Sequence, residues 1–463
     1  MTAVLTAGGH AWVPQNRWDL VADERPAWPA EAVAVIIPYF EQPESLARMY
    51  AALALTQLGP AGCEVVIVDD GSAVPPPPPP DGFPFPVQVL HQPDRGCRPG
   101  AARNLGAAHT AADVLVFLDP DTLPEPTTIA RLAAWPAVVP DALVVGRRRH
   151  ADLRGWTPEA TQGWLRGVAP APVVGRDPAW LQHGYDASGD LLDVDDRSYR
   201  FVISAVMACH RWLYDDIGGF DGTRDEYGSD DWEFAARAFN GGAVLLHDPT
   251  AVGWHDEPDW ADRDGRLDAQ NRQSLWLAGS VAEPATRGHV WQPRADTVVR
   301  VTDLDGATVG QVVATVDSVL AAVPDGAVLL PADLPAAATA HVAHDPRVRT
   351  GQDLATVLAS ARVLIDLRGP AIWDAEGLRA TIDTLRPGGP GELAISHRGR
   401  VVATARSCRA VARARRAGRH GVDAGAALER LFGRRSVEAG ELGLDPLEHD
   451  VDLAGLLAGW WRP

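Results

Sequence analysis

The chain has 463 residues, 46% hydrophobic and 22% charged, which is enough for a core in two domains and argues against bulk disorder. Its formal net charge is −19 and all 42 basic side chains are arginine. That balance argues against nonspecific nucleic-acid binding, which needs clustered positive charge, and leaves room for a local arginine pocket around one nucleotide diphosphate.

No apolar run approaches the roughly 20 residues of a membrane helix, and Met1–Leu20 lacks the basic start and apolar stretch of a secretory signal. Cys63, Cys97, Cys209 and Cys408 form neither zinc-type pairs nor a disulfide framework. The expectation is a cytoplasmic protein with free thiols and no transmembrane segment. The Trp-rich end (Leu456, Leu457, Trp460, Trp461) is expected to pack on the core, with peripheral membrane contact as the alternative.

Residues 1–31 read as an N-terminal extension. Ala32–Ile37 (AVAVII) is a short apolar run that ends at Pro38, the pattern of a buried strand. Glu44–Leu55 has apolar residues at helical spacing. Glu64–Val68 (EVVIV) is a second buried strand and ends in Asp69-Asp70-Gly71-Ser72. The prolines of Pro75–Pro80 dictate a stiff polyproline loop. Val87–Leu90 is a third strand, Gly100–His109 a helix, and Val114–Leu118 (VLVFL) a fourth strand that ends in Asp119-Pro120-Asp121.

This alternation predicts an α/β domain with a mostly parallel, Rossmann-like sheet. In such sheets the ligand sits at the carboxyl ends of the strands, where both acidic groups fall. From Asp141 to Arg200 the pattern turns irregular and reads as an excursion on the acceptor side. Within it, Arg147-Arg148-Arg149-His150 follows the strand-like ALVVG and is either an anion-steering patch or a solvated charge run. Phe201–Cys209 is apolar, Gly218–Asp221 a turn, Asp231–Phe239 a helix and Ala243–Leu246 a short strand, with His255 beyond it.

Three motifs carry chemistry. Two carboxylates one residue apart, Asp119 and Asp121, suit a hard divalent cation, Mn2+ or Mg2+, that neutralises a diphosphate leaving group. The run from Asp94 to Asn104 combines glycines, which permit close approach, with arginines, which suit phosphate. Asp230-Asp231 ahead of an amphipathic helix is either a helix cap or a general base.

Together these blocks resemble the family-2 glycosyltransferases of the GT-A fold. The resemblance runs from about Ala32 to about Trp260 through AVAVIIPYF, EVVIVDDGS, DRGCRPGAARNLGA, VLVFLDPD, GGFD, YGSDDWEF and GWHDEPDW. It implies a UDP- or other nucleotide-activated sugar donor and inverting transfer to an acceptor hydroxyl, with the acceptor unspecified. Asp70 would contact the nucleobase, with Pro38 and Tyr39 lining its pocket. Asp94, Arg95, Arg103 and Asp119 would surround the nucleotide and diphosphate. Asp119 and Asp121, completed by His255, would hold the metal. Asp231 occupies the base position, preceded by Asp230 where Glu is commoner.

A noncatalytic relative that only binds nucleotide sugar or a protein partner is the alternative, against which the intact carboxylates speak. A sugar nucleotidyltransferase would carry a Gly-rich basic loop after the first strand, where this chain has Pro38-Tyr39-Phe40-Glu41.

The domain is expected over residues 32–295, with a second α/β domain over 296–463. Thr297–Leu320 repeats the strand-then-helix layout of Ala32–Leu55. Ala361–Leu385 aligns with Ala112–Trp135 and sets Arg368-Gly369-Pro370 on the metal triplet. The second domain therefore reads as a degenerate, metal-free GT-A-like copy, with an independent accessory fold as the alternative. Ala410–Arg419 reads as an exposed Arg-rich helix or a contact for an anionic partner.

Overall fold

The computed structural model describes residues 4–57, 62–256, 266–290, 292–351 and 360–458. Trp460 and Trp461, and the last residues of GWHDEPDW, lie outside them. The chain divides into two compact units, Val4–Gln273 and Ser274–Pro463. Among the described residues no helix is long and apolar enough to cross a membrane.

In the first unit, β1 (Val33–Tyr39), β2 (Cys63–Asp69), β3 (Val87–His91) and β4 (Val114–Leu118) form the expected parallel set, in the order β3-β2-β1-β4. Every residue of β1 and β4 is buried. A parallel strand covered on both faces needs a continuous apolar run, which is why these strands were legible. Helix α1 (Pro43–Leu53) begins with proline at its first position, where the missing N–H costs nothing. Helix α2 (Pro99–Ala108) starts the same way.

The sheet continues through β7 (Val206–His210), β6 (Ala142–Asp152) and β8 (Val244–His255) to β5 (Thr122–Pro124). β7 runs antiparallel to both β4 and β6, and β8 is parallel to β6.

Two expectations are corrected here. The stretch after Asp141 opens not as an irregular excursion but as an 11-residue strand of the sheet, whose arginines extend past the apolar core. The short strand Ala243–Leu246 is one end of a 12-residue strand. Its register shifts between Asp248 and Val252, so Pro249, Thr250 and Ala251 form a bulge. The strand resumes and carries His255 to the carboxyl end of the sheet.

The second unit holds a seven-stranded sheet in the order β11-β10-β9-β12-β14-β13-β15. Its strands are β9 (Thr297–Thr302), β10 (Gly326–Leu330), β11 (Val348–Thr350), β12 (Val363–Arg368), β13 (Glu392–His397), β14 (Arg400–Ser407) and β15 (Arg434–Glu438). β9 to β12 are mutually parallel, β14 is antiparallel to both neighbours, and β15 is parallel to β13. Both strand order and strand sense repeat β3-β2-β1-β4-β7-β6-β8 of the first unit.

The Arg-rich segment is a helix, Cys408–Arg419, but not an exposed one. Arg413 and Arg416 are fully buried, and Arg409 and Arg413 lie over the Phe432 ring.

Candidate active site

One cleft of the first unit gathers residues from the ends of β1, β2, β4 and β8, from β6 and from the start of α4 (Asp230–Asn240). It encloses about 290 Å³ and is lined by Pro38, Tyr39, Asp70, Arg103, Asp119, Asp121, Asp230, Asp231 and His255. Nine of the eleven residues singled out by the sequence therefore meet. Asp94 and Arg95 are exposed on the adjoining loop and do not line the cleft.

Asp70 is held at both oxygens, Oδ1 accepting from Gln92 Nε2 at 2.5 Å and Oδ2 from the Arg98 backbone N–H at 2.8 Å. Gly71, at φ 90°, lets this turn pass directly against the Asp94 backbone, which a Cβ there would overlap. Gly71→Ala therefore combines a left-handed strain with a clash and is expected to cost about 2–4 kcal/mol, read as a lower denaturant midpoint.

Arg103 is 3% exposed and bridges the cleft. Its Nη2 donates to Asp119 Oδ1 at 2.7 Å and its Nη1 to Asp230 Oδ2 at 2.8 Å, with the guanidinium over the Phe220 ring. Arg103 is thus committed to two carboxylates. On the other wall, Asp121 Oδ1 lies 3.2 Å from His255 Nδ1, which also meets Thr122 Oγ1 at 3.1 Å. Burial pushes the Asp119 carboxyl above its ordinary value against the pull of Arg103. At Asp121 burial is outweighed by His255, which holds the carboxyl low, and Asp121 in turn raises His255 against its own burial. His255 is set in place by its chain neighbour Asp256, which accepts from Arg48 Nη2 at 2.6 Å and from the Leu153 N–H at 2.7 Å.

Ser229, at φ 66°, turns the chain into α4 so that Asp230 and Asp231 occupy its first turn, where the helix N-terminus favours negative charge. Burial, and then the neighbouring charge of Asp230, pushes the Asp231 carboxyl up to about 7. One carboxylate of the pair is tied to Arg103, and burial holds the other well above the ordinary carboxylate range.

Asp119 Oδ2, Asp121 Oδ2 and His255 Nε2 take no hydrogen bond among the described residues. Two carboxylates and an imidazole suit a hard or borderline divalent cation such as Mn2+ or Mg2+.

A tighter group lies elsewhere. His10, Glu31 and His210 bring ligand atoms within 4.8 Å of one another. There, however, His210 Nδ1 accepts from the Trp212 N–H, so its proton sits on Nε2, facing Glu31 at 3.6 Å. His10 Nδ1 donates to Ala137 O at 3.0 Å and its Nε2 faces Glu31 at 3.4 Å. His10 thereby ties the N-terminal segment to the helix Thr128–Val138, and Glu31 Oε2 is buried without a hydrogen bond.

The sequence reading did not single out Arg148, Gln92 or Asp256 as site residues. Arg148 was visible only as one of three consecutive arginines. Its signal is the two-residue alternation of a strand, which sends Arg147 and Arg149 to Asp177 on one face and Arg148 to the cleft on the other.

Residues 34–183 match the family model "Glycosyl transferase family 2". A pre-mycofactocin glycosyltransferase of Mycobacterium tuberculosis is 28% identical over 242 residues, which are 50% of this chain and 45% of that protein. The hyaluronan synthase of Pasteurella multocida is 23% identical over 241 residues, 49% of this chain and 24% of that one. The chain thus matches less than half the length of these curated relatives. Among solved structures, a mannosyltransferase from Pyrobaculum calidifontis in complex with GDP-Man and Mn2+ aligns with a TM-score of 0.35 at 17% identity, covering 59% of this chain and 66% of that one.

Proposed function

This chain carries a family-2 glycosyltransferase domain, and from that premise we propose that it moves a sugar from a UDP-linked or similar nucleotide-sugar donor to an acceptor hydroxyl, with inversion. The convergence of Asp70, Asp119, Asp121, Asp231 and His255 on one cleft at the carboxyl end of the sheet supports this reading.

In it, Tyr39 and Pro38 flank the nucleobase and Asp70, oriented by Gln92 and the Arg98 N–H, accepts its hydrogen bond. Asp119, Asp121 and His255 would hold a Mn2+ or Mg2+ ion, whose charge would neutralise the diphosphate. Arg103 fixes Asp119 and Asp230 rather than contacting the donor directly. Asp231 takes the acceptor hydroxyl proton while that oxygen attacks the anomeric carbon opposite the departing nucleoside diphosphate.

The test is donor hydrolysis over a panel of nucleotide sugars, with Mn2+ or Mg2+ against EDTA. Metal-dependent release of nucleoside diphosphate from one donor, lost in Asp121→Ala, is expected. No release combined with no metal-dependent donor binding in calorimetry would overturn the proposal in favour of a noncatalytic binding protein.

The second unit is, in this reading, a GT-A-like copy without a metal site. Its support is the repeated strand order and sense, together with Arg368 at the position that aligns with Asp119. One metal ion and one nucleotide per chain are expected by calorimetry.

A further inference from the structure

Five carboxylates line the cleft, and of its two arginines one, Arg103, is already spent on Asp119 and Asp230. The other is Arg148, on β6. It makes no ion pair or hydrogen bond among the described residues; its Nε is buried without a partner, as are those of Arg103, Arg147 and Arg149, but Arg148 alone of the four also lacks a carboxylate partner. Its neighbours differ: Arg147 pairs with Asp177 at 2.9 Å, and Arg149 faces the same carboxylate at 3.6 Å and lies over the Trp254 ring. Arg148 lines the same cleft as Asp231 and His255, and its charge favours the ionised Asp231 and disfavours a cation at His255.

An arginine left unpaired among acids, in a cleft that must hold an anion, has its partner supplied by the ligand. A planar guanidinium suits the paired oxygens of a phosphate. We propose that Arg148 grips the donor's diphosphate and stabilises it as the leaving group. This rests on the donor reading given above. As the bond from the anomeric carbon to the diphosphate oxygen breaks, its electron pair stays on that oxygen and adds one negative charge next to Arg148. The proton of the attacking hydroxyl goes to Asp231, so charge and atoms balance. In this assignment Arg148 does the work the sequence had given to Arg95 and Arg103.

The experiment is calorimetry on the full-length protein with Mn2+, titrating UDP, GDP and dTDP and then the monophosphate of whichever binds. Wild type, Arg148→Met and Arg148→Lys are compared. A contact to the diphosphate weakens diphosphate binding in Arg148→Met by roughly 10- to 100-fold, leaves the monophosphate within about twofold, and is partly restored in Arg148→Lys. A merely structural role would weaken both nucleotides together. An unchanged diphosphate-to-monophosphate ratio in a folded Arg148→Met protein overturns the inference while leaving the donor reading intact. Failure of the wild type to bind any of the three diphosphates overturns the donor reading, and the inference with it.

Discussion

Asp231→Asn is expected to lower turnover by about 10²- to 10⁴-fold, the usual contribution of a positioned general base, while nucleoside diphosphate affinity stays near that of the wild type. The substitution keeps the shape of the side chain and the hydrogen bond from the Trp232 N–H to Oδ1, but an amide cannot take the hydroxyl proton. The wild-type pH profile follows from the same group. Burial and Asp230 raise the Asp231 carboxyl to about 7, so the basic form accumulates only above that pH. Turnover at saturating substrates should climb about tenfold per unit below pH 7 and level off above it. A flat profile from pH 5.5 to 8 would remove Asp231 from the base position.

The stability consequence has a definite sign. The folded-state pKa lies above that of the unfolded chain, so the folded state binds the extra proton between roughly pH 4 and 7. Stability therefore falls as pH rises through that window. Asp231→Asn removes the penalty, so the inactive variant should melt at a higher temperature than the wild type at pH 8, and the difference should shrink at pH 5. Such an exchange of stability for activity is what a site held against its own preference produces.

Arg103→Met is expected to be the most destabilising single change in the cleft, at about 3–5 kcal/mol. It strands Asp119 and Asp230, whose only cation at hydrogen-bonding distance among the described residues is Arg103. Arg103→Lys keeps the charge but loses the planar fork that reaches both carboxylates, and should fall between. Without the arginine the Asp119 carboxyl, already raised by burial, loses the charge that holds it down, so stability should return as pH falls and it protonates. Urea unfolding at pH 7.5 and pH 5 measures this. An equal loss at both pH values would mean that Arg103 acts through packing on Phe220 rather than through its charge.

The sequence alone determined the parallel half of the first sheet and where its acids fall. Buried parallel strands must be written as unbroken apolar runs, and the polar residue that ends each run is delivered to the carboxyl edge. That is why Asp70, Asp119 and Asp121 were legible without a structure. Asp230 and Asp231 were legible because helix starts carry their own signals.

Tertiary structure decided the rest. β6 and β8 run on past their apolar starts, so their outer halves lose the apolar pattern, and a bulge interrupts β8 between Asp248 and Val252. Strand alternation, invisible until β6 is known to be a strand, sends Arg148 into the cleft and Arg147 and Arg149 away from it. Arg95 and Arg103 are equally plausible phosphate ligands as letters. The fold leaves Arg95 exposed and buries Arg103 between two acids. Composition marks Ala410–Arg419 as an exposed helix, yet the fold buries Arg413 and Arg416. The second unit repeats the first in strand order and sense although its loops carry different residues. Strand order is a property of long-range pairing, and local residue patterns do not record which strands lie side by side.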